Sequence, residues 1–522
     1  MRQPLAALGR SPSRQVSQIV SQQAPTGGWN ARDSLANMKP GDAIRMINWY
    51  PRTTDIVIRG GQADHASGIT GTTKTLSVYN GASGTNKMFA ATNSGIYDAS
   101  SAGAVAASVA TSTNGYWQDT NFGDGTTNWL IMVNGTDKPN YYSGSAWTAV
   151  DAVSTPALTG LTTTSIIGVF QNKGRLYFLE KNSLSTWYLA AGAAGGALTE
   201  FDLSSIAHRG GYLLAGGTWS VDSGDGPDDR AVFVTSEGEV IVYSGTNPSA
   251  AATWSLVGVY YIGEPMGRRC LFKHGGDLVI ITQNGAYPLS AVLQSVTIDR
   301  KLAITNKIEL AFNEAANLYS ANVGWEVMFY PAQSAMLFNI PTVEGSQAEQ
   351  YILNTSSPKK PWCRFNSWNA TCFALFNGEL YYGVEGAVQK AWTGTSDDGE
   401  NIISDMKESF QIYGNSDQKR ATLYRPILSV NGSISYLTGI DVDFKDTNII
   451  GEATYSVTSG ALWDVSNWDE AYWAASLEIV RQWSSPQENV GTWFAGKLKI
   501  ATNALEVHML ASDICFETGG GI

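Results

Sequence analysis

The chain has 522 residues, of which 43% are hydrophobic and 15% charged, and its formal net charge is −12. This composition excludes an intrinsically disordered protein, and the length exceeds what a single compact core usually holds, so we expect two or three domains. An acidic body should also repel nucleic acid, which argues against a DNA-binding surface.

The N-terminal segment, residues 1–25, is rich in Gln, Ser and Arg and predicts a flexible arm or one short helix. Residues 1–60 hold eight Lys or Arg against three Asp or Glu, a basic excess too dilute for a DNA-binding arm. No apolar stretch follows the early arginines, and no run has membrane length. We therefore expect a protein without a signal peptide or membrane span, made in the cytoplasm.

Residues 26–60 differ in kind because they contain paired glycines, two prolines and two tryptophans. They predict a short helical turn at Asp42–Ile47 and then one strand around Ile56–Ile58. We expect this segment to pack with the C-terminal domain.

Residues 61–400 repeat one hairpin pattern, an apolar run, a turn ending in Gly and a run closed by aromatics. Such turns are a strong hairpin signal because Gly accepts the positive φ that they need. Their glycines are Gly95, Gly135, Gly174, Gly238, Gly285 and Gly378. The irregular spacing of mostly 40 to 60 residues predicts a β-propeller of six or seven blades.

Two further features belong to this region. A Trp follows most hairpins and predicts packing between blades from one place in each repeat; these are Trp117, Trp147, Trp187, Trp254 and Trp392. Apolar residues at helical spacing predict one amphipathic helix, Thr305–Tyr319, inserted into the propeller or docked on its face, with Thr305 able to cap it.

Residues 401–522 have longer alternating strands and predict a β-sandwich or barrel-like platform domain. Between these strands, Trp463-Asp464, Trp468-Asp469 and Trp473 repeat every five residues. Neither a helix nor a strand keeps this period, so the segment predicts a looped aromatic ladder whose aspartates cap turns.

Motifs for catalysis, metals or cofactors are missing from the sequence, so we expect no enzyme, metal or cofactor. The four cysteines are scattered and read as buried free thiols, and the four histidines are isolated. Acidic pairs at Asp222–Asp229 and Asp397–Glu400 lie in Gly-rich stretches and read as turns, although the first leaves a Ca²⁺ site open.

Several segments together resemble one family, the tail nozzle or tail hub proteins of short-tailed bacteriophages, also described as tail tubular protein B or packaged-DNA stabilisation proteins. The resemblance rests on the order of motifs from Gly27–Asp33, Met38–Ala43 and Asn48–Arg52 through the hairpin Ala91–Asp98 and the helix start Thr305–Phe312 to the Trp-Asp repeats and Phe516–Gly520.

The resemblance implies a structural virion protein. It would form a ring, usually of six copies, below the portal and its adaptor, contact tail fibre or spike proteins and conduct DNA through its centre without specific binding. From the acidic net charge we expect acidic side chains to line the lumen. We expect the segments flanking the propeller to build the ring. The candidate contact residues are Trp29, Arg32, Asp33, Trp49, Arg52, Trp463, Asp464, Trp468, Asp469 and Trp473.

Two alternatives stay open from the residues alone. A carbohydrate-binding propeller, such as a receptor-binding module, would expose a Trp/Tyr pocket on one face. A glycan-cleaving enzyme would place two carboxylates about 5 to 9 Å apart in a central funnel.

Overall fold

The computed structural model describes residues 17–222, 227–292, 299–449, 451–455, 477–485 and 490–518. The chain forms two compact units. Residues up to Ile58 together with those from Asn401 onward form one unit, and Arg59–Glu400 form the other. The fold is mainly β in both, and no helix of the described residues is long and apolar enough to cross a membrane.

The unit Arg59–Glu400 is a β-propeller, and its described strands form seven blades of three or four strands each. Blade 1 contains Thr75–Tyr79, Lys87–Thr92 and Gly95–Asp98. Blade 2 contains Gln118–Gly123, Asn128–Val133, Asn140–Tyr142 and Trp147–Ala149. Blade 3 contains Ile166–Asn172, Arg175–Glu180, Ser185–Tyr188 and Thr199–Asp202. Blade 4 contains Leu213–Asp222, Pro227–Thr235, Glu239–Gly245 and Trp254–Tyr261.

Blade 5 contains Leu271–His274, Asp277–Thr282 and Gly285–Pro288. Blade 6 contains Glu326–Tyr330, Ala335–Val343, Gln347–Asn354 and Trp362–Phe365. Blade 7 contains Phe373–Phe376, Glu379–Ala391, Gln62–Thr72 and Gly103–Ala104. Two short strands, Leu158–Thr159 and Gly196–Ala197, pair separately.

Blade 7 closes the ring because it combines strands from both ends of the unit. Gln62–Thr72 pairs antiparallel with Glu379–Ala391, so the start and the end of the unit share one sheet. Arg59 and Asp397 add a buried ion pair at the same junction. Closure of this kind fastens the two ends of the ring together, so that only the short edges of the individual blades remain.

The apolar core lies between successive blades. Separate clusters of buried residues join blade 7 to 1, 1 to 2, 2 to 3, 3 to 4 and 4 to 5. A middle strand is therefore covered on both faces, and Leu130–Val133 are fully buried for this reason. Coverage of both faces explains why these strands read as continuous apolar runs.

The recurring hairpins identify six of the seven blades. Their turns join the second and third strands in blades 1, 2, 4 and 5, and the first and second strands in blades 3 and 7. Of the five tryptophans after the hairpins, Trp147 and Trp254 lie in fourth strands and Trp187 in a third strand, whereas Trp117 and Trp392 lie outside the strands. The prediction of one equivalent position per repeat is therefore wrong.

The predicted helix is confirmed, with a 3₁₀ start. Ile304–Ile308 form a 3₁₀ turn and Glu309–Tyr319 an α-helix between blades 5 and 6. Thr305 does not cap it; its Oγ1 accepts from the Ala286 N–H over 3.2 Å. The other helical turns are Ala82–Gly84, Thr163–Ser165, Leu289–Val292, Arg300–Leu302 and Pro331–Gln333.

The other unit is a β-sandwich. One sheet contains Gly28–Trp29, Asp42–Ile47, Ile402–Glu408, Phe494–Thr502 and Tyr436–Val442. The second contains Glu478–Val480, Lys419–Val430, Val507–Thr518, Ile56–Ile58 and Trp49–Pro51, with Ser17–Gln23 paired to Val507–Thr518 and Val490–Gly491 to Lys419–Val430. A shared core of residues from both sheets, including Tyr424, Ile440 and Phe516, packs the sheets face to face.

Two local predictions in this unit are wrong. Ser17–Gln23 form a strand paired with the C-terminal strand, where a flexible arm or short helix was expected. Asp42–Ile47 do not form the expected helical turn; they form a strand that pairs with Ile402–Glu408. In both cases a partner strand distant in sequence supplies the hydrogen bonds that local patterns cannot reveal.

Candidate functional site

The central cavity of the propeller is the main candidate site. It has a volume of about 770 Å³ and is lined by residues from the innermost strand of every blade. A cavity of this size falls within the range of about 300–1,000 Å³ that is usual for small-ligand sites. The radial arrangement of blades forms it, because each blade directs the edge of its innermost strand toward the axis.

Arg269 and Glu326 form an ion pair that spans this cavity. Nη1 of Arg269, in the loop before blade 5, donates to Oε2 of Glu326 in blade 6 over 2.9 Å. Nη2 of Arg269 donates to Oγ1 of Thr75 in blade 1 over 2.6 Å. It also donates to the carbonyl of Trp117, just before blade 2, over 3.3 Å. Oε1 of Glu326 accepts from the N–H of Phe373 in blade 7. One ion pair thus links five blades.

The protonation of this pair follows from its surroundings. Burial raises the pKa of Glu326, and the neighbouring guanidinium opposes that rise. Burial acts to lower the pKa of Arg269, but Glu326 and the other nearby acidic groups together outweigh it, and the net shift is upward. Because Glu326 accepts from both Arg269 and a backbone N–H, the contacts favour its charged form.

Asp119 is the cavity carboxylate with the most unusual environment. Its side chain lines the cavity, and the surrounding walls reduce its hydration. This loss of hydration raises the pKa of Asp119 to about 6, although Arg269 opposes the shift. Asp119 therefore changes charge in mildly acidic solution.

A second set of cavity charges is bonded through a serine. Asp229 accepts from Oγ of Ser220 over 2.6 Å, and this serine Oγ accepts in turn from Nζ of Lys273 over 3.1 Å. Blades 4 and 5 are connected by this chain of contacts. The side chains of Asp222 and Asp228, in the same segment, lie outside the described residues.

Five of the predicted contact residues, Trp29, Arg32, Asp33, Trp49 and Arg52, are described, and they lie in the sandwich unit. Trp29 and Trp49 are buried, with 7% and 0% of their surface exposed, so they belong to its core. Arg52 is exposed, and Arg32 is partly exposed and donates from Nε to Asp33 over 2.8 Å. Trp463, Asp464, Trp468, Asp469 and Trp473 lie outside the described residues.

Asn30 organises the loop that carries Arg32. Its side-chain oxygen accepts from the N–H groups of Arg32 and Asp33, each over 3.1 Å. Its Nδ2 donates to Asp33 and to the buried Asp42, each over 2.9 Å. The N-terminal motif is therefore one hydrogen-bonded structure.

The prediction of buried free thiols is confirmed. All four cysteines are buried. No group of three potential metal-ligating side chains occurs among the described residues. His508 contacts two carboxylates, with Nδ1 2.6 Å from Asp55 and Nε2 3.0 Å from Glu506.

Sequence reasoning did not find the cavity residues because Asp119, Arg269 and Glu326 are far apart in the chain. A usable signal exists in Trp325-Glu326-Val327, where a charged residue opens an apolar strand. A charge at such a position needs a partner, but the sequence does not reveal which residue supplies it.

The solved structures to which the chain is similar include two propeller domains. The Myceliophteria thermophila Cps50 (Swd1) β-propeller domain is 12% identical, with 63% of this chain and 98% of that chain covered and a TM-score of 0.39. The Neurospora crassa Pan2 WD40 domain is 7% identical, with 66% and 98% covered and a TM-score of 0.38. No protein-family model and no curated protein sequence matches the chain.

Proposed function

We propose that the chain is a structural subunit of the virion tail of a short-tailed bacteriophage, the tail nozzle. In this role, copies of the chain form a ring, of six subunits by the family resemblance, below the portal and adaptor. The ring retains packaged DNA and conducts it during ejection.

The observation that carries the proposal is the structure of the N-terminal motif. Its tryptophans are core residues, and Asn30 links Arg32, Asp33 and Asp42 in one network. Motif residues that hold each other in place form a unit that a family would share, which supports the resemblance. Arg32 and Arg52 are exposed, and we assign them to contact with a neighbouring subunit or the adaptor.

The small size of the propeller cavity favours a structural role for the propeller within the ring. The Arg269–Glu326 pair crosses a space of about 770 Å³, which suits a small ligand and not a DNA duplex. DNA would therefore pass through the lumen between subunits. The acidic net charge of −12 would limit adhesion, since like charges repel within about 8 Å at physiological salt.

We assign no catalytic role to the cavity. A glycan-cleaving site needs two available carboxyl groups. Both oxygens of Glu326 are already bonded, and Asp229 is bonded through Ser220. A sugar site would also need an accessible aromatic platform, whereas Trp117 in the cavity wall is fully buried.

The test is electron microscopy of the purified chain, alone and mixed with the portal–adaptor complex of its virus. We expect ring-shaped particles attached to the adaptor end. Replacing Arg32 and Arg52 together by Glu should weaken attachment or ring formation, whereas the same change at the exposed Arg420 and Arg481 of the same unit serves as the matched control. A wild-type chain that never attaches would contradict the proposal.

A further inference from the structure

Phe444 has an unusual backbone conformation, just beyond the end of a strand of the sandwich. Its φ is +65° and that of the preceding Asp443 is +50°, so two successive residues other than glycine lie in the left-handed region. This region is unfavourable for a bulky side chain, because the Cβ atom crowds the following carbonyl oxygen. The turn that follows Tyr436–Val442 therefore holds Phe444 in place at a cost to stability.

Buried charges fix this turn from below. The carboxylate of Asp441 pairs with the ammonium groups of two buried lysines, Lys407 over 2.7 Å and Lys497 over 2.6 Å. Nζ of Lys407 also donates to the Lys445 carbonyl in the turn over 2.9 Å. Nζ of Lys497 donates to the Thr447 carbonyl over 2.5 Å. Because both ammonium groups bond to the turn, its conformation is set before any partner binds.

The turn presents an aromatic ring to solvent. Phe444 is 38% exposed, although its ring packs against those of Phe410 and Trp493 with 5.1 Å between ring centres in each case. Oδ1 of Asp443 accepts from the N–H of Trp493 over 3.0 Å and ties the turn to this neighbour. An exposed ring on a rigid support has the properties of an interface anchor, because a partner that covers it restricts little further motion.

The loop that carries Arg32 lies on the other side of the same sheet. Phe444 follows Tyr436–Val442, the last strand at one side, and Arg32 follows Gly28–Trp29, with three strands between these two. Neighbouring strands are about 4.8 Å apart, which places the two strands about 19 Å from each other. A contact between Arg32 and Phe444 would therefore join two copies of the chain.

We propose that Phe444 of one copy packs against Arg32 of a neighbouring copy, and that this contact repeats around the ring. A guanidinium is attracted to the face of an aromatic ring, and the Arg32 side chain is 42% exposed while Asp33 holds its Nε over 2.8 Å. Two different surfaces on opposite sides of one unit make a head-to-tail contact, which produces a ring when the rotation closes. This inference rests on the proposed ring function.

Sedimentation of the full chain over a concentration series, alone and with the portal–adaptor complex, tests the contact through Phe444→Asn. Asn tolerates the left-handed conformation better than Phe, so relief of strain offsets the lost ring contacts and the melting temperature should stay close to that of the wild type. We expect the concentration for half-assembly to rise by at least about tenfold, as for loss of an interface anchor. Arg32→Gln should raise it by about threefold or more. The double variant should lose less than the product of the two effects, because both remove one contact.

Ile479→Asn is the matched control, because Ile479 is an exposed apolar residue in the other sheet of the same unit, and this variant should assemble like the wild type. Equal assembly of the wild type, Phe444→Asn and Arg32→Gln would overturn the contact and leave the ring proposal standing. Fully additive effects in the double variant would overturn the direct pairing. If Phe444→Asn does not fold, Arg32→Gln at its partly exposed position still decides the matter. A wild type that forms no ring under either condition contradicts the ring proposal and this contact with it.

Discussion

Arg59 and Asp397 are separated by 338 residues in the chain and joined by two hydrogen bonds, one of them from Nη1 to Oδ1 over 2.8 Å. The Arg59 side chain is fully buried, and its guanidinium also lies 5.0 Å from the centre of the Trp368 ring. Nη2 donates further to the Asn366 carbonyl over 3.1 Å. The pair therefore fastens the first residues of the propeller to its last turn.

Arg59→Met should lower the free energy of unfolding of the propeller by about 3–5 kcal/mol, because it leaves Asp397 buried without its counter-charge. Urea unfolding followed by circular dichroism measures the change. The control is Lys138→Met, which breaks an exposed pair and should cost no more than about 1 kcal/mol. Equal effects of the two substitutions would mean that the pair does not secure the closure.

Asp119→Asn should stabilise the chain at neutral pH and have little effect near pH 4. Because the pKa of Asp119 is raised to about 6 by lost hydration, the folded state holds a proton that the unfolded state releases at lower pH. Its ionisation therefore destabilises the fold as the pH rises from about 4 through 6. Thermal melts of wild type and variant across this range give the comparison, and a pH-independent difference would refute the assignment.

Glu408 is fully buried in the sandwich, and we expect its ionisation to destabilise the fold in the same way. Burial raises its pKa to about 7, and Oγ of Ser512 donates to it over 2.6 Å. Ionisation should cost roughly 3 kcal/mol above pH 7, from a shift of about 2.5 pKa units at 1.36 kcal/mol each. Glu408→Gln should remove most of this loss, measured as the difference in unfolding free energy between pH 5 and pH 8; an unchanged pH dependence would count against it.

His508 has a raised pKa, chiefly through its hydrogen bond with Asp55. For a base with a raised pKa, the stabilising contribution is present below the unfolded-state value of about 6.5 and is lost as the pH rises through the folded-state pKa. His508→Gln should therefore destabilise the sandwich more at pH 5.5 than at pH 9. Nuclear magnetic resonance titration of the imidazole measures the pKa directly, and a value at or below that of free histidine would contradict the prediction.

The sequence predicts most of the propeller because each blade must turn tightly, and turns with Asn-Gly or similar pairs are visible. Blade 6 escapes this signal since its first turn uses Pro331–Gln333 and Ser334, whose φ is +51°, instead of an Asn-Gly pair. The sequence predicts only part of blade 7, because Gln62–Thr72 pairs with a strand more than 300 residues away. The seventh blade is a tertiary feature.

Local patterns also fail where charges meet. Asn30 and Asp42 are only 12 residues apart, so the sequence shows them as polar residues of one region near Trp29. The Arg269–Glu326 pair depends on how the ring brings separate blades together. Spacing in the sequence carries no information about such contacts until the blade order is known.

Native mass spectrometry of the purified chain, followed by electron microscopy of the same sample, tests the ring proposal most directly. We predict a cyclic assembly with six times the 56.0 kDa mass of one chain, either alone or on addition of the portal–adaptor complex. In that ring, acidic side chains should line the lumen. A chain that stays at 56.0 kDa under both conditions, or a ring whose lumen is basic, would contradict the account.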